Sequence, residues 1–338
     1  MSSVSRRWSW FCWPCPTGSW ASTSRRKSSR TTPGRSERSR LFGGRSRLYI
    51  QGVLTVAMIN IISATGLAVF TGFTGLFSLG HAAFMAVGAY TSAILTYFLG
   101  VPYVLALVAG VLASSVVAAL VGYPTLRTRL RGDYFAIATI GMGEATRVIL
   151  ENLKITQGAR GLPGISQYTT LPVAAVAAAI VLALARNMLA SVYGRNAVAV
   201  REDAVAAEMS GIHLLRTRMI SLVFSAGCAG LAGGLYAHYL AFIQPVMFTM
   251  VQSTQITAAV VCGGTGSLTG PALAAFVFTV APELLRAAHM WRLVIYGLML
   301  VLIMVFRPQG LMGYRDLSWS TFSTLAARIR RRTPHGKR

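Results

Sequence analysis

The sequence predicts an all-α protein, a polytopic transmembrane helical bundle of about 8–10 spans. Three observations carry that expectation. Apolar segments long enough to cross a bilayer follow one another from residue 48 to the region of residue 306. Charged residues make up 12% of the chain and hydrophobic ones 54%, against roughly 25% charged in soluble domains. The third is the stripe of Ala82, Ala86, Ala89 and Ala93, whose spacings of four, three and four put small residues on one helical face. Lipid tails are as apolar as leucine, so helices in a bilayer associate by close van der Waals packing, which small residues permit.

Residues 1–47 form a separate Ser- and Arg-rich zone with the runs RRKSSR and RSERSR. Its composition predicts a disordered or misassigned segment, since so few apolar residues cannot bury a core. Its one apolar patch, 8–20, contains Pro14 and Pro16 and is too short to span. A transmembrane domain follows over 48–314, and 315–338 form a basic cytoplasmic tail. Candidate spans are 48–70, 81–98, 102–122, 134–151, 171–190, 217–240, 254–285 and 293–306. Gly72, Gly75 and Gly80 break the chain before His81 opens the second span. The 254–285 segment is long enough for about two crossings, broken in its middle by Gly263, Gly264, Gly266 and Gly270.

Basic residues collect on the cytoplasmic side of membrane proteins. With the 123–133 loop inside, alternation also places 191–216, the 263–270 turn and the C-terminal tail inside. These segments hold Arg127, Arg129, Arg131, Arg195, Arg201 and Arg216, and the opposite loops hold only Lys154, Arg160, Arg286 and Arg292. The same parity puts the eleven Lys and Arg of residues 1–47 outside, which points to a crossing missing at the N-terminus. The net charge of +23 raises nucleic-acid binding, but the basic residues lie in tails and short loops without an aromatic-interleaved face, so nucleic acid is excluded as a partner. Membrane lipid is the expected surrounding. Cys12 and Cys15 match C-x-x-C without a thioredoxin-like context, and Cys228 and Cys262 read as packing side chains.

Three segments carry chemistry. In 130–152, Glu144, Arg147 and Glu151 lie three and four residues apart on one helical face, where Glu144 and Arg147 can pair. A structural ion pair and a place on a watery path remain equal readings. In 194–219, Arg201, Glu202, Asp203 and Glu208 alternate with Ala and Met as in a short amphipathic helix capped by Gly211. Such a helix is either a solvated loop or a piece that docks into a cytoplasmic partner. The 263–271 segment lacks the Lys of a phosphate loop and reads instead as a helix break followed by small-residue packing through Gly266, Gly270 and Ala274. No nucleophile–base pair, metal-ligand cluster or cofactor motif stands in the chain, so an enzyme is not expected. Of the five histidines only His81, beside the glycine break, is a functional candidate.

The segments SLGHAAFMAVGAYTSAIL, LRGDYFAIATIGMGEATRVILEN with the following TQGARGLPGI, GRNAVAVREDAVAAEMSGI, FSAGCAGLAGGLYAHYLAFIQP, VCGGTGSLTGPALAA and FRPQGLMG together resemble the branched-chain amino acid ABC transporter permease family of bacterial inner membranes. The resemblance runs over residues 50–314 with the motifs in family order. It implies a multi-pass bundle without a cofactor, paired with a second related permease, cytoplasmic ATP-binding subunits and a periplasmic substrate-binding protein. It also implies that 201–211 matches the family's cytoplasmic loop facing the ATPase, and that ATP hydrolysis sits on a separate subunit. Importers for urea, amides and other small polar solutes share much of the pattern, so the solute stays open. An ion-coupled secondary transporter is the rival from another class, and it would place charged sites at broken midplane helices. Two departures stand out. The Ser/Arg-rich segment occupies the place of an apolar first span, and Thr156-Gln157-Gly158 replaces Thr-Gly-Gly.

Overall fold

The computed structural model describes residues 35–128 and 132–284, with Gly297 and Val301 as isolated positions and side chains described from Tyr49 onward. The expected span 293–306 and the tail 315–338 lie outside the described residues, as does 1–34. The chain divides into two units, 1–45 and 46–338. Of the first, residues 35–45 are described, and they are helical. Helix α1 (Arg35–Leu67) therefore begins well before the compositional boundary at residue 47.

The second unit is an all-α membrane bundle. After α1 the chain widens into a π-turn (Ala68–Gly72) and runs irregularly to α2 (His81–Phe98), α3 (Tyr103–Arg127) and α4 (Gly132–Asn152). There follow β1 (Leu162–Pro163), α5 (Leu171–Ala190), α6 (Val192–Glu202), α7 (Ala204–Met209) and α8 (Leu214–Leu240), then β2 (Phe242–Ile243), α9 (Met250–Gly263) and α10 (Thr269–Leu284). The two short strands pair antiparallel, Leu162 with Ile243 and Pro163 with Phe242. By length and composition, five helical segments among the described residues suffice to cross a membrane: Tyr49–Gly72, Tyr103–Arg127, Leu171–Ala190, Leu214–Leu240 and Pro245–Gly263. Helix α4 is not among them, because it carries Glu144, Arg147 and Glu151.

Side-chain size is inverted relative to a water-soluble protein. On α3 every fourth residue from Ala106 to Leu126 is buried, and five of those six are Ala, Gly or Ser. Val108, Leu112, Val116 and Leu120 stand exposed on the other side. Helix α5 repeats this, with Ala174, Ala178 and Ala185 inside and Val176, Ile180 and Leu184 outside. Apolar flanks of that extent are stable against lipid and not against water. The chain is thus a multi-pass membrane protein.

Helix α8 is the hub, packed most heavily against α2 and α3. Its glycines set the spacing. A Cβ on Gly230 would strike Ser114 of α3 and one on Gly233 would strike the Met85 backbone of α2, while Gly66 of α1 packs onto Cys228. Ala82, Ala86, Ala89 and Ala93 are all buried, as are Ala226, Gly230 and Gly234. Such backbone proximity maximises dispersion contact where apolar burial gives no drive. Cys228 and Cys262 are free and buried in this packing. The expected 254–285 segment is two helices, as its glycines predict, but α9 opens earlier, at Met250, after a 3-10 turn at Pro245–Phe248. Gly263 packs directly on the Gly270–Pro271 backbone, closing the hairpin. Gly266 lies in the turn before α10, so it is not on the packing face with Gly270 and Ala274.

Candidate functional site

The expectation of one helix over 201–211 needs correction. Arg201 and Glu202 end α6, the chain breaks at Asp203, and α7 is a separate element. The break has a local cause. The Asp203 carboxylate accepts from the backbone N–H groups of Val205 and Ala206 at 2.8 and 3.0 Å, an N-cap that starts a new helix. Gly211 ends it at φ +84°, with its N–H donating to the Glu208 carbonyl and that of Ile212 donating to the Ala207 carbonyl. These are the two bonds of a Schellman motif.

Arg201 joins this segment to the membrane helices. Its Nη1 donates to the Gly72 carbonyl oxygen at 2.8 Å, while Nε and Nη2 reach Glu202 Oε1 at 3.1 and 2.6 Å. Gly72 closes the π-turn of α1, where the widened backbone frees carbonyls from the regular ladder. The glycines of the break are there for close approach. A Cβ on Gly72 would lie 2.6 Å from the Thr265 carbonyl oxygen and one on Gly75 3.0 Å from Arg201 Cγ. One on Gly80 would strike the Thr139 carbonyl of α4. The structure therefore brings Gly72, Gly75, Arg201 and the turn holding Gly264 and Gly266 to one junction. His81 is buried, its Nε2 donating to the Ser63 carbonyl of α1 at 3.2 Å and its ring edge-on to Phe84.

The α4 charges form a triad and not a pair. Arg147 Nε donates to Glu144 Oε2 at 2.8 Å and Nη1 donates to Glu151 Oε1. Two carboxylates share one guanidinium.

Sequence reasoning missed two features. On α7, Val205 and Met209 are 72% and 85% exposed, four residues apart on one face. The signal was present as two large apolar residues at helical spacing among the alanines of AVAAEM, next to the charged Arg201, Glu202 and Asp203. The second is a cavity of about 490 Å³ between α1, α8, α9 and α10. Asn60, Gln252, Gln255 and Thr279 line it, and their isolated amides and hydroxyls carry no sequence motif. No three metal-ligating side chains converge among the described residues.

The family model described as "Branched-chain amino acid transport system / permease component" matches residues 49–304. The chain belongs to this family. Among curated relatives of this permease, the "High-affinity branched-chain amino acid transport system permease protein LivM" of Salmonella typhimurium is 34% identical over 295 residues, covering 77% of this chain and 69% of that protein. The protein of the same name from Escherichia coli is 34% identical over 296 residues with the same coverage. More distantly, the "Autoinducer 2 import system permease protein LsrC" of Enterobacter sp. is 28% identical over 221 residues, 62% of this chain and 63% of that protein. No solved structure matches.

Proposed function

We propose that the chain is the transmembrane permease subunit of an ATP-binding-cassette importer for branched-chain or related amino acids in the bacterial inner membrane. It forms the translocation path with a second, related permease. Cytoplasmic ATP-binding subunits hydrolyse ATP, and a periplasmic substrate-binding protein delivers the solute. The observation that carries this reading is the Arg201 bond to Gly72, which links an exposed cytoplasmic segment to the break in a membrane helix. A partner that binds two arrangements of α7 with different affinity biases the bundle between them, and that difference is the only thing a partner can use to drive a change. Val205 and Met209 supply the docking contact, and Arg201 transmits the displacement to α1. The same residues serve an importer for urea or amides equally well.

The test is reconstitution of the chain with its partner permease, ATPases and binding protein in vesicles, reading ATP-dependent uptake of leucine, isoleucine and valine beside urea. Uptake driven by an ion gradient without ATP defeats the importer reading, and uptake of urea alone defeats the amino-acid assignment. Val205→Glu together with Met209→Glu is expected to reduce ATPase co-purification by about tenfold, as removal of a central apolar anchor does.

A further inference from the structure

We propose that the pocket where α3 ends and α8 begins holds the phosphate of an anionic phospholipid. Arg127 is the last residue of the span Tyr103–Arg127 and Leu214 the first of the span Leu214–Leu240, so the pocket lies at the level where both helices leave the membrane. Its volume is about 930 Å³, within the range of small-molecule sites. Arg127, Arg216 and His213 line it on the polar side, α7 gives one wall, and Leu76, Leu126 and Leu215 give an apolar one. Glu208 and Arg218 also line it, and each holds an interaction of its own. Arg127 and Arg216 form no ion pair with any described residue.

The lipid-facing flank of α3 says which anion belongs here. Leu112, Val116, Leu120 and Tyr123 are between 47% and 72% exposed, and Arg127 follows Tyr123 by four residues on the same face. Arg127 Nη1 donates to the Tyr123 hydroxyl at 3.2 Å, and its guanidinium carbon lies 5.8 Å from the centre of that ring. An acyl chain laid along this flank therefore ends, one turn past an interfacial aromatic residue, at a guanidinium. A free phosphate makes no use of the flank, and a choline headgroup brings its own cation to the arginines. Helix α8 adds to the pull: no side chain caps its first turn, which holds Arg216 and no acidic residue. Cations at a helix N-terminus oppose the dipole, and an anion seated there offsets both. The basic loops mark this end as cytoplasmic, where basic pockets between spans suit anionic headgroups. Because α7 shares the pocket, the bound headgroup ties α7 to the membrane surface.

Thermal unfolding of the purified full chain in a neutral detergent tests the site without any importer partner. Phosphatidylglycerol is expected to raise the melting temperature and phosphatidylcholine not to, with the gain shrinking as salt rises. Arg127→Gln with Arg216→Gln, both at exposed positions, should weaken phosphatidylglycerol binding about thirtyfold, the effect of two surface arginines on an anionic headgroup. Lys154→Gln with Arg160→Gln removes equal charge beyond the other end of α4 and should keep wild-type binding. Native mass spectrometry reads the same site directly: phosphatidylglycerol should stay on the wild-type chain and be lost from the arginine variant. Equal gains from the two lipids, or equal weakening in the two double variants, overturns the pocket. A gain from inorganic phosphate that matches the lipid's and disappears in the arginine variant makes the ligand free phosphate and overturns the lipid assignment. A wild-type chain that retains neither lipid nor phosphate leaves the arginines to a protein surface and overturns the proposal.

Discussion

Arg201 holds two kinds of partner with one planar group, a backbone carbonyl across the junction and the carboxylate beside it. A charge-assisted hydrogen bond of this kind contributes about 1.5–3 kcal/mol. Arg201→Ala should therefore cut solute uptake by about tenfold while the assembled complex continues to hydrolyse ATP. Arg201→Lys should fall between, since an ammonium does not fork. Uptake equal to wild type in Arg201→Ala would remove Arg201 from the transmission route. The α4 triad changes what a residue-level test should show. Glu144→Ala leaves Arg147 paired with Glu151, whereas Arg147→Ala leaves both carboxylates without the guanidinium they share. Melting temperatures in detergent should rank Arg147→Ala well below Glu144→Ala, and the reverse order would mean that the cation is not what the cluster needs.

At the scale of elements, α6 and α7 are separate because their boundary residues each have a backbone task. Gly211 has open space where a Cβ would go, so its requirement is conformational: φ is +84°. Gly211→Ala should cost about 1–2 kcal/mol through the left-handed geometry alone, and Gly211→Asn less, because asparagine tolerates that region. Gly72 is the opposite case, held by the Thr265 carbonyl at a helical position with ordinary φ. Gly72→Ala should disturb the junction through contact, visible as impaired uptake with α7 still able to bind the ATPase. If Gly72→Ala transports normally, the close approach at the π-turn is not required for coupling.

The described bundle is organised around α8, whose glycines touch α2 and α3 while Gly66 of α1 packs on its Cys228. A branched side chain there has no space to enter. Gly230→Val should separate α8 from α3 and destabilise the bundle by about 1–3 kcal/mol or more, read as loss of the monodisperse species in detergent. Leu120→Ala, at a position 72% exposed on the flank of α3, should shift stability by only about 0.5 kcal/mol. Similar losses from both would mean that α3 presents a different face to its neighbours.

The sequence by itself determined the class of the molecule and most of its helices. Apolar length, scarce charge and small residues at helical spacing are local properties, and they fixed α2, α5 and the α9–α10 break within a few residues. The Ala stripe of α2 and the Ala226, Gly230 and Gly234 series lay on buried faces because helical periodicity dictates which residues share a side. The helix over 201–211 was misread for a local reason too: Asp203 competes for backbone N–H groups in mid-segment, and composition alone does not separate a capping aspartate from a surface one. Only the tertiary structure decided which distant segments meet. Nothing in the spacing of Gly72, Arg201 and Thr265 shows that they converge, because 129 positions separate the first two and the contact runs to a carbonyl that every residue has. The cavity between α1, α8, α9 and α10 was invisible for the same reason. Asn60, Gln255 and Thr279 are ordinary polar residues on three helices, and only the packing of those helices places their amides and hydroxyl around one cavity.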